Sequence, residues 1–249
     1  MNNSNEYVKI IGRNPVREAL KNKRNINTLY IAASEDADRS LFLIADQAKR
    51  NGVFVKKTDR RKLDFMTGGA AHQGVVALCS PVVFASIDDI LNEAEMKGEK
   101  PFVVMLDELT DVHNVGAVIR SAYLAGSHGV IIGKRRSALI GEGVYKASAG
   151  SVEYIKIAQV SNLASTVDQL KKKGLFAVCA DMNGQRYDII DYRMPFLLVI
   201  GSESEGVGRL IKSKCDFTAS IPMKGKIDSL NASVAAGVIM FEAAKQRGF

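Results

Sequence analysis

Apolar positions recur along this chain in two rhythms, and their alternation sets out the elements. Residues 7–11 are apolar and extended, and Asn14 and Pro15 then read as the N-cap and first-turn proline of a helix carrying Val16, Ala19 and Leu20. Residues 29–33 form the next strand pattern. Over 38–51, Leu41, Ile44, Ala45 and Ala48 fall at helical spacing, and Gly52 ends that helix before a strand at 53–55. The unit repeats once more, with a helix at 59–66, a break at Gly68-Gly69 and a strand at 74–79. Strands alternating with helices predict a small α/β sandwich over residues 1–80.

Pro81 opens a connecting segment, 81–100, in which Ser86 and Asp89 can make a capping box for a short acidic helix ending near Gly98. From Pro101 to residue 249 the apolar runs FVVML, GVII, EYIKI, FAVCA, FLLVI and FTASI are separated by helical or loop segments. Near-continuous apolar runs of this kind belong to a parallel sheet covered on both faces, so a second α/β domain is expected over 101–249. Its glycine-rich stretches, GEGVYKASAG and GSESEGVG, do not match GxGxxG, and no GxxxxGK[ST] occurs, which disfavours an ordinary dinucleotide site and a P-loop.

A length of 249 residues and a hydrophobic content of 47 % suit two globular units. No apolar run approaches the roughly 20 residues of a membrane helix, and MNNSNEYVKIIGR lacks the apolar stretch of a signal peptide, so a cytoplasmic protein without membrane association is expected. Cys79, Cys179 and Cys215 lie far apart in or beside apolar runs, which reads as reduced thiols rather than a metal site. The net charge of +7 is uneven: residues 1–80 hold 14 Lys/Arg against 8 Asp/Glu, 81–100 hold 2 against 5, and 101–249 hold 18 against 14. Basic clusters at Lys9/Arg13/Arg17/Lys21/Lys23/Arg24, Arg60/Arg61/Lys62 and Lys134/Arg135/Arg136 offer separate places for phosphates, which favours nucleic acid as partner.

Three segments carry candidate chemistry. In LDELTDVHNVGAVIRSAYLAG, Asp107 ends an apolar strand, Asn114 can cap the next helix, and Arg120 follows six residues on; taken alone this is a strand, a capped helix and a surface arginine. LLVIGSESEGVG places Glu203 and Glu205 directly after a strand, at the sheet end where ligands of parallel α/β domains bind. In IPMKGKIDSLNASVAAGVIMFEAAKQ, Ser229 and Asn231 sit where a loop becomes a helix of small residues, which suits close packing or a subunit contact.

In this order, N-x-G-x-x-x-R-[ST]-A at 114–122, G-x-E-x-x-G at 201–206, and I-P-M followed by S-L-N-x-S-x-A at 229–235 resemble the SpoU family of knotted RNA methyltransferases. Departures are mild: Ser121 stands where the family often has threonine, and Ser204 and Val207 replace glycine and leucine. The resemblance implies a trefoil-knotted (SPOUT) methyltransferase domain that uses S-adenosylmethionine without a metal and works as a homodimer. By position it implies that Gly201, Ile221, Met223 and Leu230 contact the cofactor, and that Asn114, Arg120, Glu203, Ser229 and Asn231 form the polar active site. Ser229 and Asn231 would orient Arg120 or the ribose, and Arg120 would stabilise the developing alkoxide, since a guanidinium is a poor proton acceptor.

The first 80 residues, with GRNPVREAL and HQGVVA, resemble the ribosomal-protein-like (L30e-type) RNA-binding domain of large-subunit rRNA guanosine 2′-O-methyltransferases. This implies 23S rRNA or a ribosomal precursor as substrate, with Arg13, Asn14 and Arg17 as RNA contacts or, more blandly, as residues that cap and solubilise a helix. The rival readings are an adenosine 2′-O-methyltransferase of 23S rRNA conferring antibiotic resistance, a tRNA 2′-O-methyltransferase, and a non-catalytic RNA-binding assembly protein.

Overall fold

The structure, a computed structural model, describes residues 7–33, 38–80, 82–225 and 229–248. The described chain divides into two compact units, and the division is not a single cut: residues up to 83 are joined in the first unit by Leu139–Tyr154, and the rest forms the second.

The first unit holds β1 (Val8–Ile11), α1 (Arg13–Lys21), β2 (Ile26–Ala32), α2 (Arg39–Arg50), β3 (Phe54–Thr58), α3 (Arg60–Thr67) and β4 (Val75–Cys79). Its sheet runs in the order β1-β4-β2-β3, with β4 antiparallel to both neighbours and β2 parallel to β3. The α/β alternation read from the sequence is present, with one correction. Gly12, not Asn14, is the N-cap of α1: its φ of 93°, open to glycine, turns the chain straight into the helix, and Gln73 Oε1 accepts the Arg13 N–H at 3.0 Å. Asn14 therefore lies inside the first turn and is exposed, and Pro15 follows it there, buried.

In the second unit, α4 (Ile87–Met96), β5 (Phe102–Leu106), α5 (Val112–Leu124) and β6 (Gly129–Gly133) come first. The chain then visits the first unit through α6 (Glu142–Ala147) and a 3-10 turn at Ser151–Glu153, and returns with β7 (Lys156–Val160). This visit displaces the strand expected at EYIKI: Glu153 and Tyr154 serve the first unit, and the strand starts at Lys156. The segment between 81 and 100 does not stand as a free linker. Ser86 and Asp89 form the expected capping box, but Ile90 of α4 is buried with Val103, Met105 and Ile131 in the core of the second unit. Pro81, expected to open that connection, lies outside the described residues.

The remaining elements are α7 (Leu163–Lys172), β8 (Phe176–Arg186), β9 (Phe196–Ile200), α8 (Arg209–Lys212), β10 (Phe217–Ser220) and α9 (Ala232–Gln246). All six strands are parallel, in the order β10-β8-β9-β5-β6-β7. The chain builds outward from β5 to β7, crosses to β8 on the other side, and inserts β9 between β8 and β5. Strands β5, β6 and β9 are buried along their whole length, as sheets covered on both faces require. No helix of the described residues is long and apolar enough to cross a membrane.

Candidate active site

Strand β9 ends at Ile200, and the chain folds back at once. Ser202 and Gly206 exchange both backbone hydrogen bonds, at 3.1 and 3.0 Å. A Cβ on Gly201 would lie 2.0 Å from the Gly206 carbonyl carbon, so only glycine lets this turn close on its own stem. Glu203, Ser204 and Glu205 stand exposed at its tip. The far end is pinned by the Gly208 N–H, which donates to Asp107 Oδ2 at 2.8 Å. Burial at the end of β5 pushes the Asp107 carboxyl above its ordinary range; the Gly208 bond works against this, and the charge of Glu108 adds to the rise.

The turn walls a cavity of about 350 Å³ over the C-terminal ends of β9 and β10 and beside the middle of β8. Gly201, Ile221, Met223 and Leu230, the four positions expected to hold a cofactor, all line it, together with Glu203 and Ser229. Sequence reasoning missed the segment Ala180–Met182, which forms the opposite wall. Asp181 there pairs with Lys212 at 2.8 Å; its partial burial opposes ionisation, but the Lys212 bond outweighs this and holds the carboxyl below its usual range. A polar carboxylate just past an apolar run was the only signal for it.

Asn231 joins three elements. Its Oδ1 accepts from the N–H groups of Ser233 and Val234 at 2.9 and 3.2 Å, which makes it the N-cap of α9. Its Nδ2 donates to Asn114 Oδ1 at 2.9 Å and to Glu203 Oε1. Asn114 can reach across because it is not the cap of α5, contrary to the expectation. Asp111 holds that position, accepting from the His113 and Asn114 N–H groups at 2.8 Å each, and the Asn114 side chain is left free and buried.

Arg120 does not join this cluster. It is exposed on α5, six residues and so about 9 Å along the helix axis from Asn114, and its side chain makes no hydrogen bond or ion pair among the described residues. Of the two expected roles, orienting Arg120 or the ribose, the first has no bond behind it among the described residues: Asn231's polar atoms are engaged by Asn114, Glu203 and the start of α9. The small-residue face of α9 packs within the chain, Gly237 lying against Ser121 of α5. In the first unit, Arg13 pairs with Asp38 at 2.7 Å and Arg17 donates to Ser40 Oγ at 2.6 Å, so both guanidinium groups tie α1 to the start of α2.

A parallel sheet whose crest carries a folded-back glycine turn and an asparagine-bridged polar cluster defines a class. Residues 101–241 match the SpoU rRNA methylase family and residues 9–84 match a domain described as RNA 2′-O ribose methyltransferase substrate binding; the chain belongs to the SpoU/TrmH family of RNA 2′-O-methyltransferases. It is 43 % identical, over 99 % of its length and 98 % of the relative's, to YacO of Bacillus subtilis (strain 168), named as a TrmH-family tRNA/rRNA methyltransferase. The SpoU methyltransferase AviRb of Streptomyces viridochromogenes, solved in complex with AdoMet, superposes with a TM-score of 0.82 at 25 % identity, covering 97 % of this chain and 91 % of that one. An AdoMet-bound rRNA methyltransferase from Sinorhizobium meliloti gives 0.78 at 25 %, covering 96 % and 87 %.

Proposed function

We propose that this protein transfers a methyl group from S-adenosylmethionine to the ribose 2′-hydroxyl of a guanosine in 23S rRNA. The observation that carries the reading is the cavity behind the Gly201 turn, where all four expected cofactor positions meet the Glu203–Asn231–Asn114 cluster. Its lining fits the cofactor: backbone of a tight turn, apolar Ile221, Met223 and Leu230 for a flat base and ribose, and the carboxylates Asp181 and Glu203 at the rim for a cation. When bound, the cofactor supplies an electrophilic sulfonium methyl. The trefoil knot of the family would then wrap the chain passages after β9 and β10 that line the cavity.

The chain's own residues align and stabilise. Asn231 locks the Glu203 turn to α5 and α9, which fixes the cavity wall against which a ribose would be held; such alignment supplies several kcal/mol of a transfer barrier, about 7–11 at the limit. Ser229 contributes a hydroxyl at the cavity edge. Arg120, unpaired and always charged, grips a phosphate and stabilises the developing 2′-alkoxide rather than accepting its proton. Asn14, exposed at the start of α1, together with the flanking Arg13 and Arg17 would contact RNA in the substrate-binding domain. A second copy would cover the exposed apolar residues Tyr123 and Leu124 of α5 and Val234 and Phe241 of α9.

Full-length coverage by an rRNA methyltransferase and the N-terminal substrate-binding match favour rRNA over tRNA; the guanosine rests on the N-terminal motifs GRNPVREAL and HQGVVA. Mass-spectrometric mapping of rRNA from cells with and without the gene tests the whole reading, the expected outcome being one missing ribose methyl on a 23S guanosine. An adenosine or a tRNA nucleoside in its place refutes the substrate. Arg120→Ala is expected to bind cofactor nearly normally while methylation collapses.

A further inference from the structure

A second cavity, of about 370 Å³, lies over the C-terminal ends of β5, β6 and β7 in the same unit. Three cations line it, Lys134 and Arg135 from the loop after β6 and Arg209 from the start of α8. All three are exposed, and none of their side chains makes a hydrogen bond or ion pair among the described residues. Their neighbour Arg136 is spent on Glu108, at 2.8 Å.

Left-handed backbone occurs both in the loop after β6, which carries Lys134 and Arg135, and in the loop after β5 that faces it. Glu108 and Arg136 both adopt left-handed backbone, with φ of 54° and 53°, although neither is glycine. Such positions cost on the order of 1–3 kcal/mol each and persist where their surroundings hold them. Here the Glu108–Arg136 ion pair joins the two strained residues, Lys134 N–H donates to Val160 O at 2.8 Å, and Ala138 N–H donates to Leu109 O at 3.1 Å. These bonds hold the loop, and with it Lys134 and Arg135, at the cavity they line. Of the two carboxylates in the lining, Glu108 is neutralised by Arg136 and Asp107 is occupied by the Gly208 N–H, so the cavity keeps a positive excess.

One loop separates the two cavities. Residues 201–206 wall the Gly201 cavity, and Gly208 to Ile211 wall this one. Neighbouring strands lie about 4.8 Å apart, which puts the crest of β6 only about 10 Å from that of β9.

We propose that Lys134, Arg135 and Arg209 form a phosphate site for the RNA strand whose ribose is presented at the Gly201 turn. The site rests on the proposed reading of that turn as the cofactor wall, and it positions the substrate from the other side of the same loop. The test uses the full-length protein, with Lys134→Ala/Arg135→Ala and Arg209→Ala as variants, Arg209→Lys as the charge-preserving change, and Lys172→Ala on α7 as the control. RNA affinity is measured against salt, S-adenosylmethionine binding by calorimetry, and methyl transfer as kcat and KM for RNA.

Loss of one phosphate contact should flatten the salt slope of log Kd by about 0.7–0.9. Arg209→Ala should show this and Lys134→Ala/Arg135→Ala about twice as much, each with a raised KM for RNA, an unchanged kcat and normal cofactor binding, while Arg209→Lys and Lys172→Ala keep the wild-type slope. Wild-type slopes in the alanine variants overturn the site. Binding of inorganic phosphate that is lost in those variants but leaves RNA affinity unchanged at constant ionic strength assigns the site to a free anion and overturns the RNA reading. Failure of the wild-type protein to bind S-adenosylmethionine strikes the cofactor reading instead, and the slopes still decide the phosphate site. If Arg209→Ala does not fold, the Lys134/Arg135 pair carries the test.

Discussion

Replacing Asn231 in two ways separates its two jobs. Asn231→Ala removes the cap of α9, which costs about 1 kcal/mol, and it removes the donor to Asn114 and Glu203. Asn231→Asp keeps an equally good cap, because the carboxylate still accepts from Ser233 and Val234, but it loses the donor and sets a negative charge against Glu203. Two like charges 4 Å apart repel by about 1 kcal/mol in water, more where partly screened from it, and each lost hydrogen bond adds about 0.5–1.5 kcal/mol. Both variants should therefore lose about 2–4 kcal/mol, a fall in melting temperature of roughly 4–16 °C for a unit of this size. The two part company in acid. The introduced aspartate, facing Glu203, has its folded-state pKa raised, so its penalty is present above that pKa and disappears as the pH falls through the carboxylate range, when the protonated carboxyl also regains a donor. Melting curves from pH 3 to 8 should converge on the wild type for Asn231→Asp and stay parallel below it for Asn231→Ala. At neutral pH both should methylate RNA about a hundredfold more slowly, the cost of a misplacement near 1 Å. An Asn231→Asp enzyme that works at the wild-type rate, or that melts in parallel with the alanine variant at every pH, would show that the bridge does not hold the turn.

Gly201→Ala should abolish cofactor binding by calorimetry, since its Cβ would sit 2.0 Å from Gly206 and force the turn open; normal binding would count against the cavity. Glu153→Ala strips the partner from Arg24, held at 3.0 Å with both side chains buried and the guanidinium stacked over Tyr145, and should cost about 3–5 kcal/mol in thermal or denaturant unfolding. His128 accepts the Phe102 N–H on Nδ1 at 3.0 Å, and burial lowers its pKa even though Glu99 on Nε2 pulls upward. Since its folded-state pKa lies below its unfolded one, stability should fall as the pH drops through about 6.5 and below, and His128→Phe should flatten that slope. Phe241→Glu should drive a dimer toward monomer in light scattering, and an unchanged mass would place the subunit contact elsewhere.

The second sheet was legible where burial is complete. FVVML and FLLVI are strands to the residue, because a strand covered on both faces is written as an unbroken apolar run. Strand β8 runs on to Arg186, well past FAVCA, since after a register shift Gln185 and Arg186 pair with Ala219 and Ser220; a polar stretch gives no hint of that. The helix caps failed for a related reason. Asn14 and Asn114 have good capping side chains, yet Gly12 and Asp111 cap those helices, and nothing local says which of several neighbours will be turned toward the free N–H groups. The candidate site was named by motif order and could not have come from spacing, because Asn231 meets partners 117 and 28 positions away. What the motifs could not supply is the separation of Arg120 from that cluster.

The excursion of Leu139–Tyr154 bears on how such proteins can be recombined. The polypeptide passes between its two units three times, after residues 83, 138 and 154, so the substrate-binding module is not an exchangeable N-terminal cassette. A fragment cut at 83 would keep Arg24 but surrender Glu153 and Tyr145, and a graft onto another catalytic unit would set the same residues against a stranger's insert. The first unit of such a chain is therefore inherited in two pieces, one of them written in the middle of the catalytic sequence, and a transplant of that unit has to move both.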